Sequence, residues 1–111
     1  MIYKNTENNF KTVKDGFKFK TLVHEHNTHM IKALLKKSAI IEMHRHPHEQ
    51  TGYLLQGHIK FIIDNKVYDI LPGDAWAIPG NSEHQAEILE NSIILEIFTP
   101  PREDYLQLEN E

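Results

Sequence analysis

Short runs in which apolar and polar residues alternate, separated at nearly even intervals by turn residues, constrain this chain more than any other feature. Residues 17–23 (FKFKTLV) alternate cleanly, Asn27-Thr28 interrupts, and a second run opens at Met30, which reads as a hairpin. Further strands are expected at 39–46, 52–63, 67–71, 75–78, 84–89 and 93–98. The turns between them are Asp64-Asn65-Lys66, Pro72-Gly73-Asp74, Pro79-Gly80-Asn81 and Glu90-Asn91. Pro100-Pro101 ends the series, because neither residue can donate a ladder hydrogen bond. Only 31–37 (IKALLKK) leans helical by propensity, and it is short and flanked by strands. The pattern predicts an all-β sandwich or barrel, and a jelly-roll barrel fits the strand count and length.

The 111 residues are expected to form one domain, 1–111. Sixteen acidic against twelve basic side chains give a net charge of −4, which offers no basic surface for nucleic acid or anionic lipid. The absence of cysteine excludes disulfides, thiolate metal sites and thiol nucleophiles. The first residues lack an apolar core of signal-peptide length, and no apolar run approaches the ~20 residues of a membrane span, so a cytoplasmic location is expected. Residues 93–98 are apolar on both faces: Ile94, Glu96 and Phe98 share one side, and Ile93, Leu95 and Ile97 the other. That double coverage predicts a second sheet or a second subunit outside, and hence a homodimer.

Eight histidines in so short a chain are the chemical anomaly. His44 and His46, two apart, would project from one strand face about 6.6 Å apart along the chain, able to lean toward a common divalent ion at ~2.1 Å. Gln50, beyond Pro47, could return a carbonyl oxygen to the same point, and His84 at the start of a later strand could close the set. An isolated His-x-His is also a common surface feature. His24 and His26 form a second such pair without a third ligand at useful spacing and read as solvent-facing; His29 sits beside a turn, His58 opens a strand, and His48 reads as a rim residue.

Residues 38–57 resemble the first cupin motif, G-x5-H-x-H-x3-4-E-x6-G, with His44, His46 and Gly57 in register and Gln50 at the acidic position. Residues 73–84 resemble the second, G-x5-P-x-G-x2-H, with Gly73, Pro79 and His84 in register. Ser38 and Asn81 replace two motif glycines at turns, where Asn is tolerated at positive φ. Six residues separate Gln50 from Gly57 and seven separate Glu49 from it, so the register selects Gln50. A neutral amide in place of a carboxylate would weaken metal affinity and leave the ion a stronger Lewis acid.

Glu96 shares its strand face with Phe98. If that face is interior, a carboxyl with a raised pKa sits in an apolar pocket; if exterior, Glu96 is an ordinary surface acid and 100–104 (PPRED) a charged tail. The whole chain, to its FTPPREDY ending, resembles the small single-domain cupins of the pectin-degradation (KdgF) type, which linearise unsaturated uronates. The resemblance implies a cupin-type double-stranded β-helix and a divalent transition metal (Ni, Zn, Fe, Mn or Co) on His44, His46, Gln50 and His84. It further implies catalytic roles for Glu96 and Arg102, substrate contacts from Phe98 and Arg102, and a sugar-acid substrate. The family typically has Asp where this chain has Glu96, one methylene longer. An iron-dependent cupin dioxygenase and a non-catalytic module for a metal or a sugar are the rival readings.

Overall fold

The computed structural model describes residues 1–5 and 9–111. Its elements are β1 (Lys11–Lys14), β2 (Phe17–His24), β3 (His29–Leu35), β4 (Ile40–His44), β5 (Glu49–Ile63), β6 (Lys66–Ile70), β7 (Ala75–Ile78), β8 (His84–Thr99) and α1 (Glu103–Glu109). All strand pairs are antiparallel.

Two long strands organise the rest. β5 and β8 pair from Glu49↔Thr99 to Ile63↔His84, so one ribbon runs the length of the molecule. At one end β8 pairs with β3 and β5 with β7, extending the sheet outward through β2 and β1. At the other end β8 pairs with β4 and β5 with β6, forming the second layer. The ribbon bends where its register shifts, between Leu54 and Ile59 of β5. Glu90-Asn91, expected as a turn dividing two strands, is part of this bend instead. Gly57 at φ 111 faces the extra residues of β8, and a Cβ there would lie 2.1 Å from Ser92 Oγ. Ser92 Oγ accepts from the His58 N–H (3.2 Å) and donates to the Glu90 carbonyl (2.7 Å), so the bulge leaves these polar groups satisfied.

The stretch 31–37 is not helical. β3 buries His29, Ile31, Ala33 and Leu35 and half-exposes Met30, Lys32 and Leu34, so a period of two overrides propensity. The core lies between the layers, built by alternate residues such as Phe19, Ile31, Leu54, Ile59, Ile88 and Phe98. The sequence pattern shows neither β1 nor α1. Glu103 and Asp104, which end the PPRED stretch that one of the two sequence readings made a charged tail, form the first turn of the 103–109 helix, where the N-terminal partial charge favours anions. The helix lays Tyr105 on Phe19, with ring centroids 4.5 Å apart, and edge-on to Phe98 at 5.9 Å. No helix is long and apolar enough to cross a membrane among the described residues.

Ser38 and Asn81, the two residues in place of motif glycines, adopt φ of 75° and 65°. Asn accepts this region readily, whereas Ser bears an αL penalty of about 1–2 kcal/mol. Part of that is offset because glycine loosens the unfolded chain by up to about 1 kcal/mol. Ser38→Gly is therefore expected to stabilise the fold by up to about 1 kcal/mol in denaturant unfolding; a lower midpoint would contradict this.

Candidate metal centre and its pocket

His44, His46 and His84 converge from three places. His44 closes β4, His84 opens β8 directly opposite it in register, and His46 lies in the connection between β4 and β5. The expected shared strand for His44 and His46 is therefore wrong: β4 ends at His44. His46 is instead fixed from outside, its carbonyl accepting from the Asn81 N–H at 2.7 Å. Gly80 permits this approach, since a Cβ there would lie 2.4 Å from the Pro47 carbonyl oxygen.

The imidazoles are oriented alike. Each turns Nδ1 to a backbone carbonyl: His44 to Glu42 (2.8 Å), His46 to His48 (3.1 Å) and His84 to Ser82 (2.8 Å). A carbonyl only accepts, so Nδ1 carries the proton and Nε2 keeps its lone pair. One ligand atom from each ring falls within 4.8 Å of the others, and His46 Nε2 is buried without a hydrogen-bond partner. Burial first, then the positive Arg102 nearby, lowers the His46 pKa to about 4; burial also lowers that of His84. Three imidazoles whose ligand atoms converge are a donor set that could hold a divalent metal.

Gln50, buried near the start of β5, lines the same pocket. Its Nε2 donates to Glu96 Oε2 at 2.5 Å, which fixes the amide and leaves Oε1 buried without a partner. Glu96 points inward beside Ile94 and Phe98, deciding between the two faces open to it in the sequence. Trp76 Nε1 donates to the same Oε2 at 3.1 Å. The indole reaches it only because residue 52 is Gly: a Cβ there would sit 2.2 Å from the Trp76 ring. Burial raises the Glu96 pKa to about 7, against the lowering effect of these two donors. Because both bonds fall on Oε2, a proton on Glu96 resides on Oε1.

These groups line a narrow cavity of about 40 Å³ that Phe98, Arg102 and Tyr105 complete. The Arg102 guanidinium lies 4.9 Å from the Phe98 ring centroid and 4.1 Å from that of Tyr105. Its Nε and one Nη already bind Asp104 as a fork, at 3.0 and 2.8 Å. Only the Nη1–Nη2 edge is thus left for a second carboxylate. Tyr105, which lines the pocket, and Trp76, which holds Glu96, are site residues that the sequence pattern does not reveal.

The remaining histidines stand apart. Among the described residues, His44, His46 and His84 form the group of three potential ligand side chains. His24 and His26 line an outer groove with His48, and His58 contacts Asp69 at 2.5 Å. His48 is half-buried with its ring 5.4 Å from His46 and faces the outer groove rather than the metal pocket. His29, expected merely beside a turn, is wholly buried and hydrogen-bonded at both ring nitrogens.

Comparison with known proteins agrees with this geometry. A family model described as the cupin domain matches residues 32–98. The pectin degradation protein KdgF of Dickeya dadantii (strain 3937) is 28% identical over 102 residues, covering 90% of this chain and 93% of that protein. The solved structure of KdgF from Halomonas sp. superposes with a TM-score of 0.88 at 27% identity, covering 94% of this chain and 96% of that one. An RmlC-like cupin from Shewanella frigidimarina NCIMB 400 gives 0.89 at 24% identity, with 94% of each chain covered, a likeness of fold.

His46→Ala removes one of three converging lone pairs. It is expected to weaken divalent-metal binding by at least about tenfold, the lower end of the cost of losing even an outer partner of a ligand. Competition against a chromophoric chelator measures this; unchanged affinity would refute the cluster.

Proposed function

The chain belongs to the cupin-domain family, and on that footing we propose that it is a metal-dependent enzyme that opens 4,5-unsaturated uronates to 5-keto-4-deoxyuronates. The observation that carries this reading is the Gln50 amide, whose two ends serve two functions: Nε2 holds Glu96, while Oε1 is left without a partner in the histidine-lined pocket. His44, His46, His84 and Gln50 would hold a divalent transition metal (Ni, Zn, Fe, Mn or Co). When bound, the metal supplies Lewis acidity toward substrate oxygens.

The residues around it divide the remaining work. A 4,5-unsaturated uronate is a cyclic enol ether with a hemiacetal. Opening it breaks the C1–O5 bond, removes the proton of the C1 hydroxyl and delivers a proton to C4, leaving an aldehyde at C1 and a ketone at C5 with no net change in composition. Glu96 is the group suited to move that proton, because its free Oε1 belongs to a carboxyl held by two donors on Oε2. The free edge of Arg102 would take the substrate carboxylate as a fork, and Phe98 would form the apolar wall beneath it. The names of the KdgF relatives, one a pectin degradation protein, support a sugar acid as substrate.

The face opposite the pocket supports a homodimer. Register aligns Met30, Ile97 and Thr51 across three strands, and Lys32, Leu95 and Tyr53 beside them. Met30, Tyr53, Ala75, Leu95 and Ile97 line a shallow, mostly apolar groove there. A second copy covering it would account for apolar residues on both sides of β8.

Metal-loaded protein is expected to remove the ultraviolet absorbance of unsaturated galacturonate faster than its spontaneous opening, and a chelator to abolish the difference. Glu96→Gln retains an oxygen that accepts from Gln50 and Trp76 but cannot exchange a proton, so a loss of at least about 100-fold is expected. Turnover unaffected by chelator, or no turnover by loaded protein, would overturn the proposal. Light scattering at micromolar concentration is expected to give twice the 13.0 kDa chain mass, with Leu95→Glu reducing it to one; a wild-type monomer would refute the dimer.

A further inference from the structure

His29 lies outside the metal cluster, yet among the described residues it is the most thoroughly buried polar one, with no exposed surface. Its two ring nitrogens have partners with opposite demands. The backbone N–H of Arg102 can only donate, and it meets Nδ1 at 3.1 Å, so Nδ1 is the bare acceptor. Nε2 therefore carries the proton and donates to Thr21 Oγ1 at 2.7 Å. Thr21 Oγ1 in turn donates to Glu109 Oε1, and the Thr21 N–H donates to Glu109 Oε2 at 2.9 Å. One directed chain of hydrogen bonds thus runs from Arg102 through His29 and Thr21 to a carboxylate.

Its two ends are the two ends of α1. Arg102 is the N-cap residue, with no side-chain cap of its own, and Glu109 is the last helical residue. β2 and β3 accordingly clamp the C-terminal segment at both ends through one buried ring. The protonation states are determined throughout, because an imidazolium at position 29 would set an N–H against the Arg102 N–H. Seven residues of isolated helix would not be stable alone, so this clamp and the Tyr105 contact supply its order.

We propose that His29 is a positioning residue for Arg102, fixing the backbone from which the guanidinium reaches over Phe98 into the pocket. The inference rests on the reading that Arg102 receives the carboxylate of a uronate. His29 touches no substrate in this scheme; it sets where the fork stands.

A pair of conservative variants separates positioning from packing. Asn reproduces an acceptor near Nδ1 and loses Thr21, whereas Gln reproduces the donor near Nε2 and loses Arg102. His29→Asn is expected to keep galacturonate affinity within about twofold of wild type, and His29→Gln to weaken it by at least about fivefold. Affinity for galacturonate methyl ester, which lacks the carboxylate, and metal content are expected to stay constant in both. Hydrogen exchange of the Arg102 amide is expected to quicken by at least about tenfold in His29→Gln alone. Equal behaviour of the two variants in exchange and affinity would overturn the proposal. If wild-type protein binds no galacturonate, the uronate reading falls and the Arg102 exchange contrast alone decides the positioning role. Nitrogen-15 shifts of the wild-type ring provide a check independent of either variant's folding: protonated Nε2 with bare Nδ1 upholds the clamp, and the reverse tautomer removes it.

Discussion

The antiparallel pairing of β5 with β8 is the constraint on which the rest of the molecule depends. Because it runs from Glu49↔Thr99 to Ile63↔His84, with its register shifted only between Leu54 and Ile59, this one pairing determines which residues face one another at both ends. It sets Gln50 opposite Phe98 and Gly52 opposite Glu96, and carries His84 to the far end of the strand, where β4 brings His44 to it. A slip of one residue would turn Glu96 and Phe98 outward together with the core of β8. The bulge at Gly57 and Ser92 bends the ribbon between the two layers, so a motif glycine remote from the metal ligands shapes the pocket they share.

Within that frame, the pocket tolerates a buried carboxyl because its surroundings are built for one. Gly52 has no Cβ, Trp76 occupies the space, and the indole N–H and the Gln50 amide converge on one oxygen of Glu96. Gln at position 50 fits this arrangement better than the acid that the motif usually carries there. A second carboxylate would face Glu96 at hydrogen-bonding distance, and like charges so close in a buried site compete for one proton. The amide donates instead, holding the acid beside the histidine cluster without adding charge.

The C-terminal segment completes the site from outside the sheet. Pro100 and Pro101 end the ladder, and the short helix that follows is held by Tyr105 on Phe19 and by hydrogen bonds at its two ends. Asp104 occupies one edge of the Arg102 guanidinium, which leaves the arginine oriented and paired. Cation–π contact of Arg102 with Phe98 and Tyr105 adds to that order. The arginine is thus presented as a fixed group rather than a mobile surface charge.

Alternation and turn residues were enough to read the β class, most strand positions and, through two spaced motifs, the three clustering histidines with Gln50. These are local signals: a period of two, a left-handed turn and ligand spacing are all written in neighbouring residues. What the sequence left open was decided by contacts between distant segments. Glu96 could face either way until the β5·β8 register and Trp76 set it inward. The 31–37 stretch, with helix-forming residues, is a strand as far as Leu35 because β2 and β8 pair with it on either side. Glu90-Asn91 bends a strand rather than ending one because Gly57 lies across from it. His29 looked like one more histidine beside a turn, since nothing local announces partners 8 and 73 residues away. Composition and spacing alone thus determined which chemistry the chain can carry, whereas burial and long-range hydrogen bonding, which exist only once the sheets close, decided which groups stand together to perform it.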